Sequence, residues 1–347
     1  MHSTRKKGIL LANLGTPDSP SRGDVYKYLK QFLLDPRVID IPTIQRHLLV
    51  RGIIAPFRSA SSSKLYKQLW TKEGSPIKLY GYKLREEVQK LLGDDYIVEL
   101  GMRYQNPSLE SALKSLLDKG ADEIIVFPLF PHYASASTGS VHEEVMRLLQ
   151  KEQVIPDVKF INSYYDHPAL IEVFADNARK YNLEDYEHFV FSFHGLPQRQ
   201  MIKADRSKSH CIKKDGCCNT LCEANKFCYS AQCHATAQAI AANLGLKTDQ
   251  YTISFQSRLG RDPWMQPYTD KILEERIKDH GNKNILVFSP AFVADCLETT
   301  IEIGVEYKED FEEMGGQKLD LVESLNDNPK WVQAVVQMVK ESETRPL

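Results

Sequence analysis

Long hydrophobic runs are missing from this chain. No stretch approaches the roughly 18 apolar residues a membrane-spanning helix needs, so no span is expected. An excess of positive charge is missing too: 44 Lys and Arg face 46 Asp and Glu, for a formal net charge of −2. No nucleic-acid partner is therefore expected. Neither GxxxxGK[ST] nor GxGxxG occurs, so the chain lacks the glycine-rich loops that cradle phosphates, and no nucleotide cofactor is expected. The N-terminal MHSTRKKGILLANLG has an apolar run only from Gly8 to Leu14. It ends in a turn rather than a small-residue cleavage site, which argues against a secretory signal and for a cytoplasmic location. Thiols there stay reduced, so the seven cysteines are expected to be metal ligands or inert rather than disulfide-bonded.

What is present is ordinary globular material, 42% hydrophobic and 26% charged over 347 residues, enough for two domains. Short apolar runs at 8–14, 96–102, 123–130, 158–164, 188–193, 251–256 and 284–292 predict buried parallel strands. Helix-like stretches separate them, for example 108–119, 168–181 and 268–280. The alternation predicts an α/β fold with doubly wound parallel sheets. Three landmarks recur in order. Leu14-Gly15-Thr16-Pro17 is followed by Arg103-Tyr104-Gln105-Asn106-Pro107 and EIIVFPLFPHY. His194-Gly195-Leu196-Pro197 is followed by Arg258-Leu259-Gly260-Arg261-Asp262-Pro263 and NILVFSPAFVAD. Two similar halves are expected: 1–165 plus about 325–347, the last piece a helix crossing back, and 166–324. The alternative is that all parallel α/β halves look alike. Ligands of open α/β sheets bind beyond the carboxyl ends of the strands; all six landmarks sit there and would line one cleft.

His194 ends the strand-like HFVFSF, where an apolar wall favours a neutral imidazole able to take a proton or bind a borderline metal. The alternative is a core histidine satisfied by backbone. Glu298, Glu302 and Glu306 recur every four residues after an apolar strand. On a helix that spacing stacks like charges on one face at a cost of roughly 0.2–0.5 kcal/mol per pair. A row kept at such a cost reads as a cation route, oxygen being a suitable ligand for divalent ions; the alternative is a solvated face. Together an imidazole and a carboxylate at matching strand ends could bind a divalent metal or move protons. The loop 128–140 crowds hydroxyls before a helix, which suits either anion binding or N-capping.

These segments resemble the ferrochelatases. The stretch GILLANLGTPDSPSRGDVYKYLKQFLLDPRVIDIP is similar to that family's opening. GSPIK, GMRYQNPSL, PLFPHYASASTGS, SFHGLP, SFQSRLGRDPWMQPYT and SPAFVADCLETTIEI resemble family blocks in family order, across nearly the whole chain. The resemblance implies two Rossmann-like, chelatase-type domains around a porphyrin cleft, and insertion of Fe²⁺ into protoporphyrin IX to give protoheme. It implies that His194 and Glu298 are the iron-contacting pair, with Glu302 and Glu306 behind them. Ser75, Arg103, Tyr104 and Tyr133 match porphyrin-side positions. Leu14 stands where coproporphyrin-using relatives carry tyrosine, which implies the protoporphyrin branch. Cys296 stands where several relatives have a second histidine. A cobaltochelatase on a related tetrapyrrole, or an iron–sulfur module on an inactive chelatase scaffold, are the competing readings.

Six of the seven cysteines fall within an insert at about 205–233: Cys211, Cys217, Cys218, Cys222, Cys228 and Cys233. Such density in a reducing compartment calls for a soft metal. A [2Fe–2S] cluster, which takes four thiolates, is the leading reading; some bacterial ferrochelatases are similar in having an internal cluster-binding segment. Structural zinc and free thiols are the alternatives. Adjacent residues seldom both reach one small cluster, so Cys218 is preferred to Cys217. Cys211, Cys228 and Cys233 complete the expected set, with Cys222 as substitute. Finally, 43–58 mixes Leu48, Leu49, Val50, Ile53, Ile54 and Phe57 with Arg46, Arg51 and Arg58. It reads either as a strip lying peripherally on the inner face of a membrane or as a buried helix ended by Pro56.

Overall fold

The structure is a computed structural model that describes residues 6–258, 260 and 262–344. Leu259 and Arg261 of the second-half landmark lie outside the described residues, as do the first five and last three positions. The chain divides into two compact units. The first holds the described residues up to Phe130, Ala134–Asn162 and those from Asn326 on; the second holds Pro131–Tyr133 and Ser163–Leu325.

In the first unit, strands β1 (Lys6–Gly15), β2 (Tyr96–Tyr104), β3 (Ala121–Pro128) and β4 (Asp157–Phe160) form a parallel sheet in the order β2-β1-β3-β4. Consecutive burial of Ile9, Leu10, Leu11 and Ala12 shows that both faces of β1 are covered, as a parallel sheet requires. Helix Leu109–Asp118 covers one face through Leu109, Ala112, Leu113 and Leu116, and Ser108 caps it by accepting the Ser111 N–H. That spacing is the apolar stripe of an amphipathic helix. The C-terminal helix Pro329–Thr344 is tied to the same sheet: Tyr96 donates to Glu343 at 2.9 Å, and Lys159 reaches the carbonyls of Ser342 and Glu343.

The second unit repeats this plan. Strands β5 (His188–His194), β6 (Tyr251–Gln256), β7 (Asn284–Phe288) and β8 (Lys318–Leu321) are all parallel, in the order β6-β5-β7-β8. β1 ends in, and β5 is followed by, a glycine that only a bare Cα allows. A Cβ on Gly15 would lie 2.0 Å from the Tyr104 carbonyl oxygen, and one on Gly195 would lie 2.9 Å from that of Gln256. Each second strand is followed by a residue in the left-handed region, Gln105 and Ser257. Each third strand leads to a π-helix, Ser135–Gly139 and Leu297–Tyr307. Leu14 and His194 therefore occupy equivalent positions in the two units.

Some elements differ from expectation. Strand β4 ends at Phe160 and β7 at Phe288, shorter than their apolar runs. Strand β8 went unread. Its KLDL is four residues long and half charged, and only pairing with β7 makes it a strand.

Candidate active site and thiol pocket

His194 is the last residue of β5 and is half-buried. Its Nδ1 lies 2.7 Å from the Gly195 carbonyl oxygen. A carbonyl can only accept, so Nδ1 carries a proton, and in the neutral tautomer the lone pair lies on Nε2. The ring stands edge-on to Phe292, centroids 6.2 Å apart. Across the sheet His194 pairs with Gln256 of β6. The buried Gln256 amide is fully committed. Its Oε1 accepts from Ser192 at 2.7 Å, and its Nε2 donates to the Glu298 carbonyl at 2.9 Å and to Glu302 Oε2 at 3.3 Å. Glu302 also accepts from the Ser257 hydroxyl and, at 3.1 Å, from Tyr307. One strand-end glutamine thus ties the histidine strand to the helix that carries the carboxylates.

That helix is π rather than the α-helix the spacing of four suggested, a form that occurs mostly as short segments, frequently at functional sites. Cys296 caps its start: the thiol accepts the Thr299 N–H while the Thr299 hydroxyl accepts the Cys296 N–H at 2.9 Å. The carboxylates sense one another in order. Burial holds Glu302 above the usual carboxylate range, and the charge of Glu298 raises it further against the pull of Ser257 and His194. Burial and then the charge of Glu302 raise Glu306. Among the described residues no three His, Cys, Asp or Glu side chains converge on one ion. His194, Glu298, Glu302 and Glu306 are a row, not a cage.

In the first unit Arg103 is next to last in β2 and is held by Asp35 at 2.8 Å and Ser140 at 2.7 Å. Tyr104 was expected beside substrate, but its ring is in the core and its hydroxyl donates to Asp35 at 2.9 Å. Ser75, expected there too, is buried with its hydroxyl 3.0 Å from that of Thr16. Leu14 and Tyr133 keep part of their surface exposed. The hydroxyls of 128–140 do not cap the helix Ser140–Leu149. Ser135 accepts from Arg37 and Ser140 donates to Asp35. Asp35, Gln256, Ser257 and Tyr307 were missed by sequence reasoning; the one local signal was that Gln256 and Ser257 directly follow an apolar strand.

The insert builds a separate site in the second unit. Cys211, Cys217, Cys218 and Cys228 line one cavity of about 240 Å³, together with Met201 and Met265. The thiols stand in two linked pairs. Cys217 and Cys218 Sγ are 3.7 Å apart, Cys211 is hydrogen-bonded to Cys228, and Cys228 touches Cys218. Adjacent cysteines both reach because they sit in a turn after Gly216, whose φ is +62°; the strict alternation of an extended strand does not apply. Cys233, expected as a ligand, is fully buried on the helix Tyr229–Asn243 beside Tyr229, outside the cavity lining but close enough to Cys218 to feel its charge. Cys222 is exposed, 3.7 Å from His210 Nε2. Two buried polar side chains shape the loop. Asp205 accepts the backbone N–H groups of Ser207, His210 and Cys211. Asn225 donates to the carbonyls of Cys217 and Thr220 and accepts from the Cys222 N–H. Burial pushes the Cys211 thiol up to about 11. Contact with Cys228 and then burial raise Cys218.

Known proteins share this plan. A chain described as SirB from Bacillus subtilis with Fe³⁺ superposes with a TM-score of 0.54 at 11% identity, covering 98% of this chain and 96% of that one. A sirohydrochlorin chelatase SirB from Bacillus subtilis subspecies spizizenii in complex with cobalt gives 0.51 at 12%, covering 98% and 97%. These likenesses establish a chelatase-type fold. In sequence, a ferrochelatase of Coxiella burnetii is 43% identical over 342 residues, 98% of this chain and 95% of its own length. One of Legionella pneumophila is 43% identical over 343 residues, 97% and 99%. The ferrochelatase family profile matches residues 6–343, and the chain belongs to that family.

Proposed function

We propose that the chain inserts Fe²⁺ into protoporphyrin IX to give protoheme, with His194 taking the pyrrole protons and Glu298 meeting the metal. The reaction exchanges two N–H protons for one divalent ion and involves no change of oxidation state. The Nδ1–Gly195 bond carries this reading. It leaves the Nε2 lone pair of His194 open at the strand end where the carboxylate row begins. Glu298 offers oxygen to the ion, and Glu302 and Glu306, raised toward protonation, form an exit for protons. Leu14, Arg103 and Tyr133 touch the porphyrin, while Tyr104 and Ser75 hold Arg103 and the β1 turn in place. Anaerobic incubation with Fe²⁺ and protoporphyrin IX tests this through loss of porphyrin fluorescence. Turnover is expected, with a loss of at least about a hundredfold in His194→Ala; fluorescence that persists with wild-type protein sinks the reading. Co²⁺ in place of Fe²⁺ separates a cobaltochelatase.

The four cavity thiols fit a [2Fe–2S] cluster. Two thiol pairs suit two irons needing two thiolates each. Cys211, Cys217, Cys218 and Cys228 would hold it. When bound, the cluster supplies a cross-link across the insert rather than electrons. Anaerobic protein should show the visible absorbance of a cluster, lost in Cys218→Ser and kept in Cys233→Ser.

The strip 43–58 fits a membrane surface better than a buried helix, because Ile44, Leu48, Ile53 and Phe57 are 76%, 69%, 56% and 75% exposed. Arg51 and Arg58 beside them are exposed as well. No helix among the described residues is long and apolar enough to cross a membrane. A peripheral position on the cytoplasmic face suits a lipophilic substrate and product. Flotation with anionic liposomes, lost in Arg51→Glu/Phe57→Glu, supports this; unchanged flotation removes it.

A further inference from the structure

A single buried amide joins the end of the cysteine-rich insert to Tyr133. Gln232, on the helix Tyr229–Asn243 and 1% exposed, uses both ends of its side chain. Its Oε1 accepts the Tyr133 backbone N–H at 2.7 Å, and its Nε2 donates to the Lys226 carbonyl at 2.8 Å. Lys226 lies just before Cys228, the cavity thiol that also begins the helix. Aromatic contacts surround the amide. Phe227 stands edge-on to Tyr133 with centroids 6.5 Å apart. His132 stands edge-on to Tyr229 at 5.9 Å and to Phe193, the neighbour of His194, at 5.3 Å. Thr236 sets the tautomer of His132. Its hydroxyl donates to the Tyr165 carbonyl at 2.6 Å, so it accepts from His132 Nε2–H at 2.8 Å. Pro131–Tyr133 and the helix all belong to the second unit.

We propose that Gln232 is a positioning residue for the porphyrin: it passes the conformation of the thiol-bearing loop to Tyr133, so that filling the Cys211–Cys217–Cys218–Cys228 pocket tightens tetrapyrrole binding. The inference rests on the cluster and on the substrate role of Tyr133 proposed above. The physical basis is that a buried amide cannot cheaply drop either bond. If the Lys226 carbonyl shifts when the pocket empties, Gln232 must follow it and release Tyr133, or remain and leave a buried donor unsatisfied. The two ends of the side chain therefore favour one joint arrangement.

Protoporphyrin IX affinity, measured by equilibrium ultrafiltration on the full chain, tests this in wild type and Gln232→Ala, each loaded anaerobically and each stripped with chelator. Stripped wild type should bind about tenfold more weakly than loaded. Loaded Gln232→Ala should keep the visible absorbance, bind about as weakly as stripped wild type, and lose nothing more on stripping. Its KM for porphyrin should rise by the same factor while kcat and the KM for Fe²⁺ hold, and its melting temperature should fall equally with and without loading, since the Tyr133 N–H and Lys226 carbonyl lose a buried partner in both. Wild-type affinity in loaded Gln232→Ala overturns the proposal, and so does a variant that keeps the dependence on loading. Phe227→Ala, a milder change on a partly exposed ring, should also weaken binding; unchanged affinity there counts against the route even if Gln232→Ala fails to fold. Absence of a chromophore in both proteins overturns the cluster reading and the coupling to it, while equal affinity of the two as purified separately overturns the positioning of Tyr133.

Discussion

Acid should loosen the first unit through one histidine. His142 lies on the helix Ser140–Leu149, buried against Phe160 with ring centroids 4.6 Å apart. Its Nε2 has no partner among the described residues. Burial, with a smaller push from the Arg37 charge, depresses its pKa to about 4 from 6.5, against a backbone bond to Ile161. The folded ring therefore stays neutral where the unfolded one takes a proton. Stability from this site is whole above pH 6.5 and drains as pH falls toward 4. Between pH 7 and 5 one such group removes about 2 kcal/mol. His142→Phe keeps the aromatic contact and removes the titration. Native-state hydrogen exchange of residues 140–149, followed from pH 7 to 5, reports the opening free energy of this helix. Wild type should lose about 2 kcal/mol more than the variant over that range. Equal losses would refute the assignment, since carboxylates titrate in both proteins alike.

Gln256→Leu removes the bonds to the Glu298 carbonyl and to Glu302; we expect about 2–3 kcal/mol of lost stability and a raised KM for Fe²⁺ with porphyrin KM unchanged, and steady-state kinetics showing both constants rising together would contradict it. Cys296→Val deletes the acceptor that caps the π-helix and should cost about 1 kcal/mol in urea unfolding, whereas Cys296→Ser should cost less; equal costs would remove the capping role. Asp35→Ala leaves Arg103, Tyr104 and Ser140 without their shared acceptor, and thermal or urea unfolding should show a loss of about 3–5 kcal/mol; a loss below about 1 kcal/mol would mean that water replaces the carboxylate.

Local signals were readable wherever a residue's environment is set by its neighbours in the chain. The run HFVFSF could only be a strand covered on both faces, and its end marked His194. The carboxylate row was legible because like charges repeated every four residues are unfavourable on a helix. The failures have a common physical cause. Gln256 is defined by Glu298 and Glu302, Asp35 by Tyr104 and Ser140, and each partner lies tens of residues away. A lone glutamine or aspartate carries no trace of such a partner. Cys217 and Cys218 line one cavity together because they sit in a turn, where the alternation of extended backbone does not hold. The π-helix was hidden because a spacing of four is equally the mark of an α-helix.

The repeat shows where chemistry departed from scaffold. In both units a polar residue at or next to the end of the second strand is tied to the segment after the third: Arg103 to Ser140 in the first, Gln256 to Glu298 and Glu302 in the second. The tie belongs to the fold, since it braces the point where a parallel strand passes into its π-turn. What differs is the load it carries. In the first unit the brace closes on Asp35, and the residue before the glycine is Leu14, which has neither a proton nor a lone pair to offer. In the second it closes on a carboxylate held above its usual range, and the central strand ends in His194 with Nε2 open. The two units thus differ at the strand tip, leucine against histidine, and in the carboxylate that closes the tie: Asp35 pairs with the Arg103 guanidinium at 2.8 Å, whereas Glu302 is held by Gln256, Ser257 and Tyr307.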